Sequence, residues 1–394
     1  MTYLDHAATT PMHPLAADAL VAELGRVGNP SSVHEAGRAA RRAVEESREL
    51  IADRLGAHPS EVLFTGGGTE ADNLAVKGLF WARSGADSRR RRVLVSAVEH
   101  HAVLDAALWL GEREDAEPVL LPVDGAGRLD LSALEAELGN HADEVALLSV
   151  MWANNEVGTI QPIAEVVALA HAYDIPVHSD AVQAVGPLDV EFATSGLDAM
   201  SVSAHKLGGP VGVGALLLRR DVDVTAVQHG GGQERGVRSG TFATALIRSF
   251  AAAIDAAVAG RREQGGRVAA LRDALAVAVL AEVPDAVVRG PAVPGSPLDA
   301  ARLPGNLSIT FPGCDTDALL YLLDSLGVQC SAGSACQAGV TRTSHVLLAM
   351  GLTEADARGT VRFSLGRSST RADVDTVAGV IGDVVARARA AGSR

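Results

Sequence analysis

The feature that most constrains the fold of this 394-residue chain is a regular alternation of strand-like and helical segments between residues 61 and 218. Short apolar runs, for example residues 93–96 and 145–150, are separated by segments of helical periodicity. Such alternation predicts one mostly parallel sheet with helices on its faces. The composition agrees, because 47% of the residues are hydrophobic but only 3% are aromatic. Small aliphatic side chains suit helices packed on a buried parallel sheet.

Polar side chains recur where these predicted strands end. In open parallel sheets ligands bind at the carboxyl ends of the strands, and polar residues scattered over the surface would not be expected to fall there. These residues therefore form the candidate site. They are Thr69, His100, Asn155, Asp180, Gln183, Ser203, His205 and Lys206.

Lys206 is the residue around which the site is predicted. It follows an apolar strand and two small hydroxyl residues, Ser201 and Ser203, and it precedes a Gly-Gly-Pro turn. A lysine at a strand exit, near hydroxyls that can bind a phosphate, is what an enzyme using pyridoxal 5'-phosphate (PLP) requires: the amine forms a Schiff base and later moves a proton. Taken alone, the segment fits a surface lysine in a glycine-rich turn better, so the interpretation depends on the other strand ends.

A glycine turn after the first of these strands is a candidate phosphate site. Residues 61–65 lead into Gly66-Gly67-Gly68-Thr69 and then a helix, which presents backbone N–H groups at a helix N-terminus. It is neither a Walker loop nor a dinucleotide fingerprint, because the required glycine and lysine spacings are missing. An ordinary glycine-rich connection is the alternative. The Thr69 hydroxyl favours phosphate binding.

The pattern changes near residue 265. A helix over 242–264 and a second helix through 280 are followed by a Pro- and Gly-rich segment, an antiparallel-type strand at 306–311 and a strand at 358–367 with Arg362 at its centre. We expect a large PLP-binding domain over residues 14–260. Residues 1–13 and 261–394 are then a smaller α+β domain, which carries Cys336 on a loop of small residues predicted to be mobile.

Charge and cysteine content restrict the function classes. The net charge of −14 disfavours a general nucleic-acid binder and a protein that binds anionic membranes. The three cysteines, Cys314, Cys330 and Cys336, show no zinc-type spacing, so we expect no intrinsic metal site. There is no signal-peptide pattern and no apolar run of membrane-spanning length. These features predict a cytoplasmic protein.

Asp180 and Lys206 together suit PLP, because a carboxylate keeps the pyridine nitrogen protonated while a lysine binds the aldehyde. At this point the chain resembles cysteine desulfurases of the NifS/IscS type, within the class V aminotransferases and the fold-type I PLP enzymes. The motifs that carry the resemblance run through almost the whole chain: residues 4–10, 68–70, 99–100, 154–158, 179–183, 203–206, 238–241, 333–336 and 362–367. The resemblance implies the fold-type I architecture, with a seven-stranded, mostly parallel sheet flanked by helices.

The resemblance also implies a role for each matching residue. Lys206 would be the Schiff-base lysine and proton carrier, His100 would stack on the ring and assist proton transfer, and Asp180 would pair with the ring nitrogen. Gln183 and Asn155 would lie near the ring hydroxyl, and Arg362, with Asn155, would bind the substrate carboxylate. The phosphate would be held by Gly68, Thr69, Ser203 and His205, and by Thr241 from the other subunit of a homodimer.

Cys336 would accept sulfur from L-cysteine, giving L-alanine and a persulfide. That sulfur would pass to an iron–sulfur scaffold or other acceptor proteins, with tRNA thiolation a further destination, and Cys336 could transiently ligate a cluster. No direct nucleic-acid or membrane partner is expected. We interpret Cys330 as buried and inert and Cys314 as structural. The C-terminus at 388–394 lacks the tail that some relatives use to dock a scaffold, which puts that partner in doubt.

Three other functions are alternatives to cysteine desulfuration. A related PLP lyase or aminotransferase, such as a selenocysteine lyase, would share most of these residues. A non-catalytic sulfur carrier or assembly scaffold would keep the fold, but Lys206 argues against it. A nicotinamide-linked dehydrogenase is disfavoured because its glycine pattern is absent.

Overall fold

The computed structural model describes residues 1–291, 302–333 and 343–392. The strands are β1 (Thr2–Tyr3), β2 (Val62–Thr65), β3 (Arg92–Ser96), β4 (Glu117–Leu121), β5 (Val145–Ser149), β6 (Val177–Asp180), β7 (Ala199–Ser203), β8 (Gly214–Leu218), β9 (Val287–Arg289), β10 (Asn306–Thr310), β11 (Val328–Gln329) and β12 (Thr360–Ser364). The helices are α1 (Pro14–Leu24), α2 (Glu35–Arg54), α3 (Gly68–Ala86), α4 (His101–Arg113), α5 (Leu131–His141), α6 (Ile163–His171), α7 (Phe192–Ser195), α8 (Thr244–Glu282), α9 (Thr316–Ser325), α10 (His345–Ala349), α11 (Glu354–Ala357) and α12 (Arg371–Gly392).

Seven strands form one large sheet in the order β2-β8-β7-β6-β5-β3-β4. Within this sheet β8 is antiparallel to both of its neighbours, and the other pairs are parallel. The predicted mostly parallel, seven-stranded sheet is therefore confirmed. Because the parallel strands end at one edge, the loops after β2, β3, β5, β6 and β7 meet there.

Helices cover both faces of this sheet. Successive strand residues alternate between the faces: Leu94 and Leu148 pack in a core with α2, α5, α6 and α8, whereas Val93 and Leu147 pack in a core with α3 and α4. Since both faces are buried, β5 is buried along its whole length. This explains why the strands have continuous apolar runs in the sequence.

A third core, separate from the two on the faces of the large sheet, is built mainly from residues at the two ends of the chain. It contains Leu4, Leu275, Ile309, Phe363 and Val377. Here β10 pairs antiparallel with β9 and β12, and β1 pairs parallel with β11. The antiparallel strand predicted at 306–311 is thus confirmed as β10.

Helix α8 differs from the sequence prediction. We expected two helices separated near Gly265, but one helix of 39 residues runs through Gly265 and Gly266. Each glycine inside a helix costs roughly 1 kcal/mol relative to alanine. The helix stays continuous because Phe250 is buried in the first core, with Leu94, and Leu275 is buried in the third core. Packing therefore holds the helix on both sides of the glycine pair. Residue 260, the predicted domain boundary, lies inside this helix.

Among the described residues, none of the helices combines the length and the apolar character that crossing a membrane demands.

Candidate active site

The predicted site residues converge on one cavity of about 470 Å³ at the carboxyl edge of the large sheet. Pockets for small ligands and cofactors have volumes of this order. The predicted residues in its wall are Gly68, Thr69, His100, Asn155, Asp180, Gln183, Ser203, His205, Lys206 and Arg362. Thr241 is exposed three residues before α8, away from this cavity. Cys336 lies outside the described residues.

The N-terminus of α3 forms part of the cavity wall. Gly67, the residue before the helix, has φ 149° and provides no side-chain cap, so the first N–H groups of α3 are left for an anion. Gly68 leaves room for a close approach, because a Cβ there would lie 2.9 Å from Val182 Cγ2 and 3.4 Å from Ser203 Cβ. Together with the hydroxyls of Thr69 and Ser203, this arrangement can bind a phosphate.

Lys206 is delivered to the cavity by a short 3-10 turn that directly follows β7. Its Nζ donates to the carbonyl oxygens of Ala7 and Ala8 at 2.6 and 2.8 Å. Burial, and secondly the Arg362 guanidinium, lower the pKa of Lys206 to about 8. A buried amine with a lowered pKa is a better nucleophile and base at neutral pH than an ordinary lysine.

Asp180 and His100 lie on the walls beside it. Asp180, the last residue of β6, is 5% exposed, and its Oδ1 accepts a hydrogen bond from Val182 N at 2.8 Å. Burial raises the pKa of Asp180, an effect that neighbouring His100 opposes. His100 caps α4 by accepting from Ala102 N through Nδ1 at 3.1 Å. That bond places the proton of the neutral ring on Nε2.

Arg362 projects from β12 and is 5% exposed. Its Nη1 donates to the carbonyl of Asn155 and its Nη2 to the carboxylate of Asp5, both at 3.0 Å. Its Nε has no hydrogen-bond partner among the described residues. A buried guanidinium with an unused N–H is suited to bind a substrate carboxylate.

Hydrogen bonds to backbone groups position Gln183 and the turn that carries Asn155. Gln183 Nε2 donates to the Ala7 carbonyl at 2.9 Å. The turn that presents Asn155 is fixed by Asn154, whose side chain accepts from the N–H groups of Glu156 and Val157 at 2.8 and 2.9 Å. This buried side chain explains why the turn has two successive asparagines: the first shapes the loop, and the second lines the cavity.

The cavity wall also contains residues that sequence reasoning did not assign to the site, among them Asp72, Glu99, Glu156, Cys330 and His345. Asp72 lies three residues after Thr69, so helical periodicity places it on the same face of α3. That spacing was a usable signal. His345 Nε2 donates to the Glu99 carbonyl oxygen at 2.9 Å, and no sequence pattern predicts such a long-range contact.

The two described cysteines have different surroundings. Cys314 is 4% exposed and lies in the third core. Cys330, expected to be buried, is half-buried: it packs against the same core and also borders the cavity. Burial, and secondly Asp5, raise the pKa of Cys330 to about 12. It is therefore protonated at neutral pH, which agrees with the expectation of an unreactive thiol.

The donor set fits PLP. The helix N-terminus and hydroxyls suit its phosphate, and the buried carboxylate of Asp180, which forms no salt bridge with a lysine or arginine of the described residues, suits a protonated ring nitrogen. The amine of Lys206 and the unused N–H of Arg362 supply groups for the aldehyde and for an amino-acid carboxylate. No cluster of three metal-ligating side chains occurs in the described part of the chain.

Comparison with known proteins gives one consistent family. The model of the class-V aminotransferases matches residues 2–377. The IscS-like cysteine desulfurase of Mycobacterium tuberculosis (strain ATCC 25618 / H37Rv) is 56% identical, with 99% of this chain and 98% of that protein covered. Cysteine desulfurase NifS of Azotobacter vinelandii is 40% identical over 98% of this chain and 93% of its own length.

A solved structure of a NifS-like protein superimposes with a TM-score of 0.89 and 33% identity. The superposition covers 98% of this chain and 100% of the solved chain.

Proposed function

The chain belongs to the class-V aminotransferase family, and within that family we propose that it works as a PLP-dependent cysteine desulfurase, taking sulfur from L-cysteine and leaving L-alanine. The observation that carries the proposal is the meeting of Lys206, Asp180 and Arg362 around one cavity, since these groups serve the cofactor aldehyde, the ring nitrogen and the substrate carboxylate. When bound, PLP supplies an electron sink that stabilises negative charge on the substrate carbons.

The residues of the chain orient both molecules. The N-terminus of α3, with Thr69, Ser203 and His205, would hold the phosphate, and Asp180 would favour a proton on the ring nitrogen. His100 would stack on the ring, and Gln183 and Asn155 would lie near its hydroxyl. Arg362 holds the substrate carboxylate with its unused Nε and the fork beside it, which points the amino group of cysteine towards Lys206.

Proton transfer at the substrate Cα is the task of Lys206. Its pKa of about 8 lets the amine take up a proton near neutral pH and return it, as a general base and acid must. His100 is neutral at that pH because burial lowers its pKa. With its proton on Nε2, its ring can donate a hydrogen bond towards the substrate.

Cys336 is the sulfur acceptor in this proposal. Its thiolate attacks the substrate sulfur, the Cβ–S bond breaks with its electrons staying on carbon, and protonation completes alanine while a persulfide stays on Cys336. The persulfide then passes to an acceptor, for which an iron–sulfur scaffold protein is the first candidate and the tRNA-thiolation route the second. We place this chemistry in the cytoplasm.

The functional unit in this proposal is a homodimer. Large apolar side chains are exposed along the N-terminal part of the chain and at several later positions, among them Met12, Leu15, Val21, Leu24, Val27, Val33, Val211 and Val227. Exposed apolar surface of this extent favours an interface. Thr241, exposed and outside its own chain's cavity, then serves the phosphate of the partner. The first and third cores support a division into one domain of residues 14–260 and another of residues 1–13 with 261–394, and α8 joins the two.

The test measures alanine and protein-bound sulfane sulfur after cysteine is added to PLP-loaded protein. Lys206→Ala should abolish both products and the visible absorbance of covalently bound cofactor. Cys336→Ala should abolish both products but keep that absorbance, whereas Cys314→Ala is the matched thiol control. Alanine production at an unchanged rate by Cys336→Ala would refute the persulfide route. Turnover of selenocysteine in far higher yield than cysteine would assign the chain to the selenocysteine lyases.

A further inference from the structure

Three carboxyl groups are buried close together in the wall of the cavity: Asp180, Asp72 and Glu99. Asp72 is 1% exposed and Glu99 is fully buried, and the three groups are near enough to repel one another. Among the described residues, no lysine or arginine pairs with Asp72 or Glu99. Three negative charges cannot persist together in such an interior, so at least some of these groups must hold protons.

Two of the three carboxyl groups also have an oxygen without a partner. Oδ1 of Asp72 and Oε2 of Glu99 are buried and accept no hydrogen bond from the described residues. The other oxygen of Glu99 accepts from Met151 N at 2.6 Å. An ionised carboxylate in such surroundings would leave an unsolvated charge, whereas a protonated one is neutral and can itself donate.

A chain of neutral polar groups lies next to Asp72 and can take up its hydrogen. The Ser201 hydroxyl is within hydrogen-bond reach of the Asp72 carboxyl and lies 2.9 Å from His178 Nε2. His178 Nδ1 lies 2.8 Å from Ser149 Oγ. Hydrogens can therefore run in one direction, from Asp72 through Ser201 and His178 to Ser149, each group donating to the next.

This chain reaches the candidate cofactor partner through the strand itself. His178 and Asp180 are two residues apart on β6, so their side chains face the same side of the sheet, the side on which α3 places Asp72. The Asp72 carboxyl is 3.6 Å from His178 Nε2. Burial lowers the pKa of His178 to about 3, so its ring is neutral and cannot serve as the counter-charge of Asp72.

We propose that Asp72 holds a proton in the folded protein and acts as a positioning residue for Asp180, which keeps its charge and faces the ring nitrogen of the cofactor. The proposal rests on the proposed function, because that nitrogen is the partner of Asp180. Neutral Asp72 adds a hydrogen-bonded wall behind Asp180 without competing for the positive charge of the ring.

The surroundings distinguish the two aspartates. Burial, and then Asp180, raise the pKa of Asp72 well above its ordinary value, and Ser201 only partly opposes this. Burial also raises the pKa of Asp180, but His100, the Val182 N–H and Lys206 all act to lower it. The proton is therefore held on the carboxyl that faces other acids, and the charge remains on the carboxyl that faces donors.

Infrared difference spectroscopy of the PLP-loaded protein tests where the proton is. Wild type minus Asp72→Asn should show the C=O band of a protonated carboxylic acid at neutral pH, shifted in heavy water. Asp180→Asn, measured in the same way, is the matched control and should show loss of an ionised carboxylate instead. Loss of a carboxylate band from Asp72→Asn would overturn the proposal.

The pH titration of the bound cofactor's visible band tests the positioning role. Asp72→Asn mimics a neutral acid, so its titration midpoint and PLP dissociation constant should stay close to those of the wild type. Asp72→Leu has a similar size but cannot hydrogen-bond, and should weaken PLP binding by about tenfold or more. A shifted midpoint in Asp72→Asn, or an unaltered dissociation constant in Asp72→Leu, would overturn the proposal.

The outcomes separate this inference from the proposed function. Wild-type protein that forms no coloured PLP complex and makes no alanine contradicts the function itself. Wild-type protein that does both, but shows no protonated carboxyl assigned to Asp72, contradicts this inference alone. If Asp72→Leu does not fold, the infrared result and the titration of Asp72→Asn still decide the matter.

Discussion

The lowered pKa of Lys206 has a direct kinetic consequence for the uptake of PLP. Only the neutral amine attacks an aldehyde, so the rate of covalent uptake by cofactor-free protein should follow the neutral fraction of Lys206. With a pKa of about 8, that fraction rises by about 50-fold between pH 6 and pH 8 and then by only about twofold between pH 8 and pH 10. An ordinary lysine would instead gain about 70-fold over that second interval.

Stopped-flow absorbance after mixing cofactor-free protein with PLP measures this rate. Nα-acetyl-lysine under the same conditions gives the profile of an unperturbed amine, and Lys206→Ala gives the background of non-covalent binding. Because Arg362 is the second cause of the lowered pKa, Arg362→Gln should move the plateau to higher pH. A wild-type rate that climbs between pH 8 and pH 10 as steeply as that of the free amine would refute the reasoning.

Three further predictions concern single side chains. Arg362→Gln should raise the KM for cysteine more than it lowers kcat, and Arg362→Lys should be intermediate because lysine keeps the charge but not the planar fork; steady-state kinetics in which kcat alone falls would contradict this. Gly68→Ala places a Cβ 2.9 Å from Val182 Cγ2, which should cause a strain of about 1–3 kcal/mol. Equilibrium dialysis should therefore show a higher PLP dissociation constant. An unaltered dissociation constant would show that Val182 moves aside without cost to binding. Arg48→Met removes the partner of buried Glu234, which lies 2.9 Å away, and should lower the free energy of unfolding by about 3–5 kcal/mol. Urea denaturation should show that the Arg48→Met/Glu234→Gln double variant regains most of this lost stability. A single variant as stable as the wild type would contradict the prediction.

Much of the large sheet could be predicted from the sequence. Most of its strands are short, apolar and buried on both faces, and polar residues lie at their ends or within a few residues of them, as at Asp180 and Lys206. Once parallel strands are accepted, their carboxyl ends must share an edge, so residues far apart in the sequence come together. The meeting of Lys206, Asp180 and Thr69 in one cavity therefore follows from local patterns and one rule of topology.

The prediction was less successful where packing between distant segments decides the outcome. The glycine pair at 265–266 favours a helix end, yet α8 continues because two cores hold it. Asp72 and Glu99 look like ordinary polar residues of a helix and a loop, since the sequence does not show that α3 buries them against the sheet. Their burial also determines their charge, so the electrostatics of the site could not be obtained from the motifs alone.

The distribution of charge around the cavity admits PLP in one orientation. An anion is favoured at the uncapped N-terminus of α3, where Gly68 and Thr69 present N–H groups. It is disfavoured beside the buried carboxylate of Asp180. A molecule with a phosphate at one end and a protonated nitrogen elsewhere on its ring satisfies both conditions only when the phosphate lies against α3. Lys206 lines the same cavity as Gly68 and Asp180, so it would be the amine available to the aldehyde of a cofactor held in that orientation.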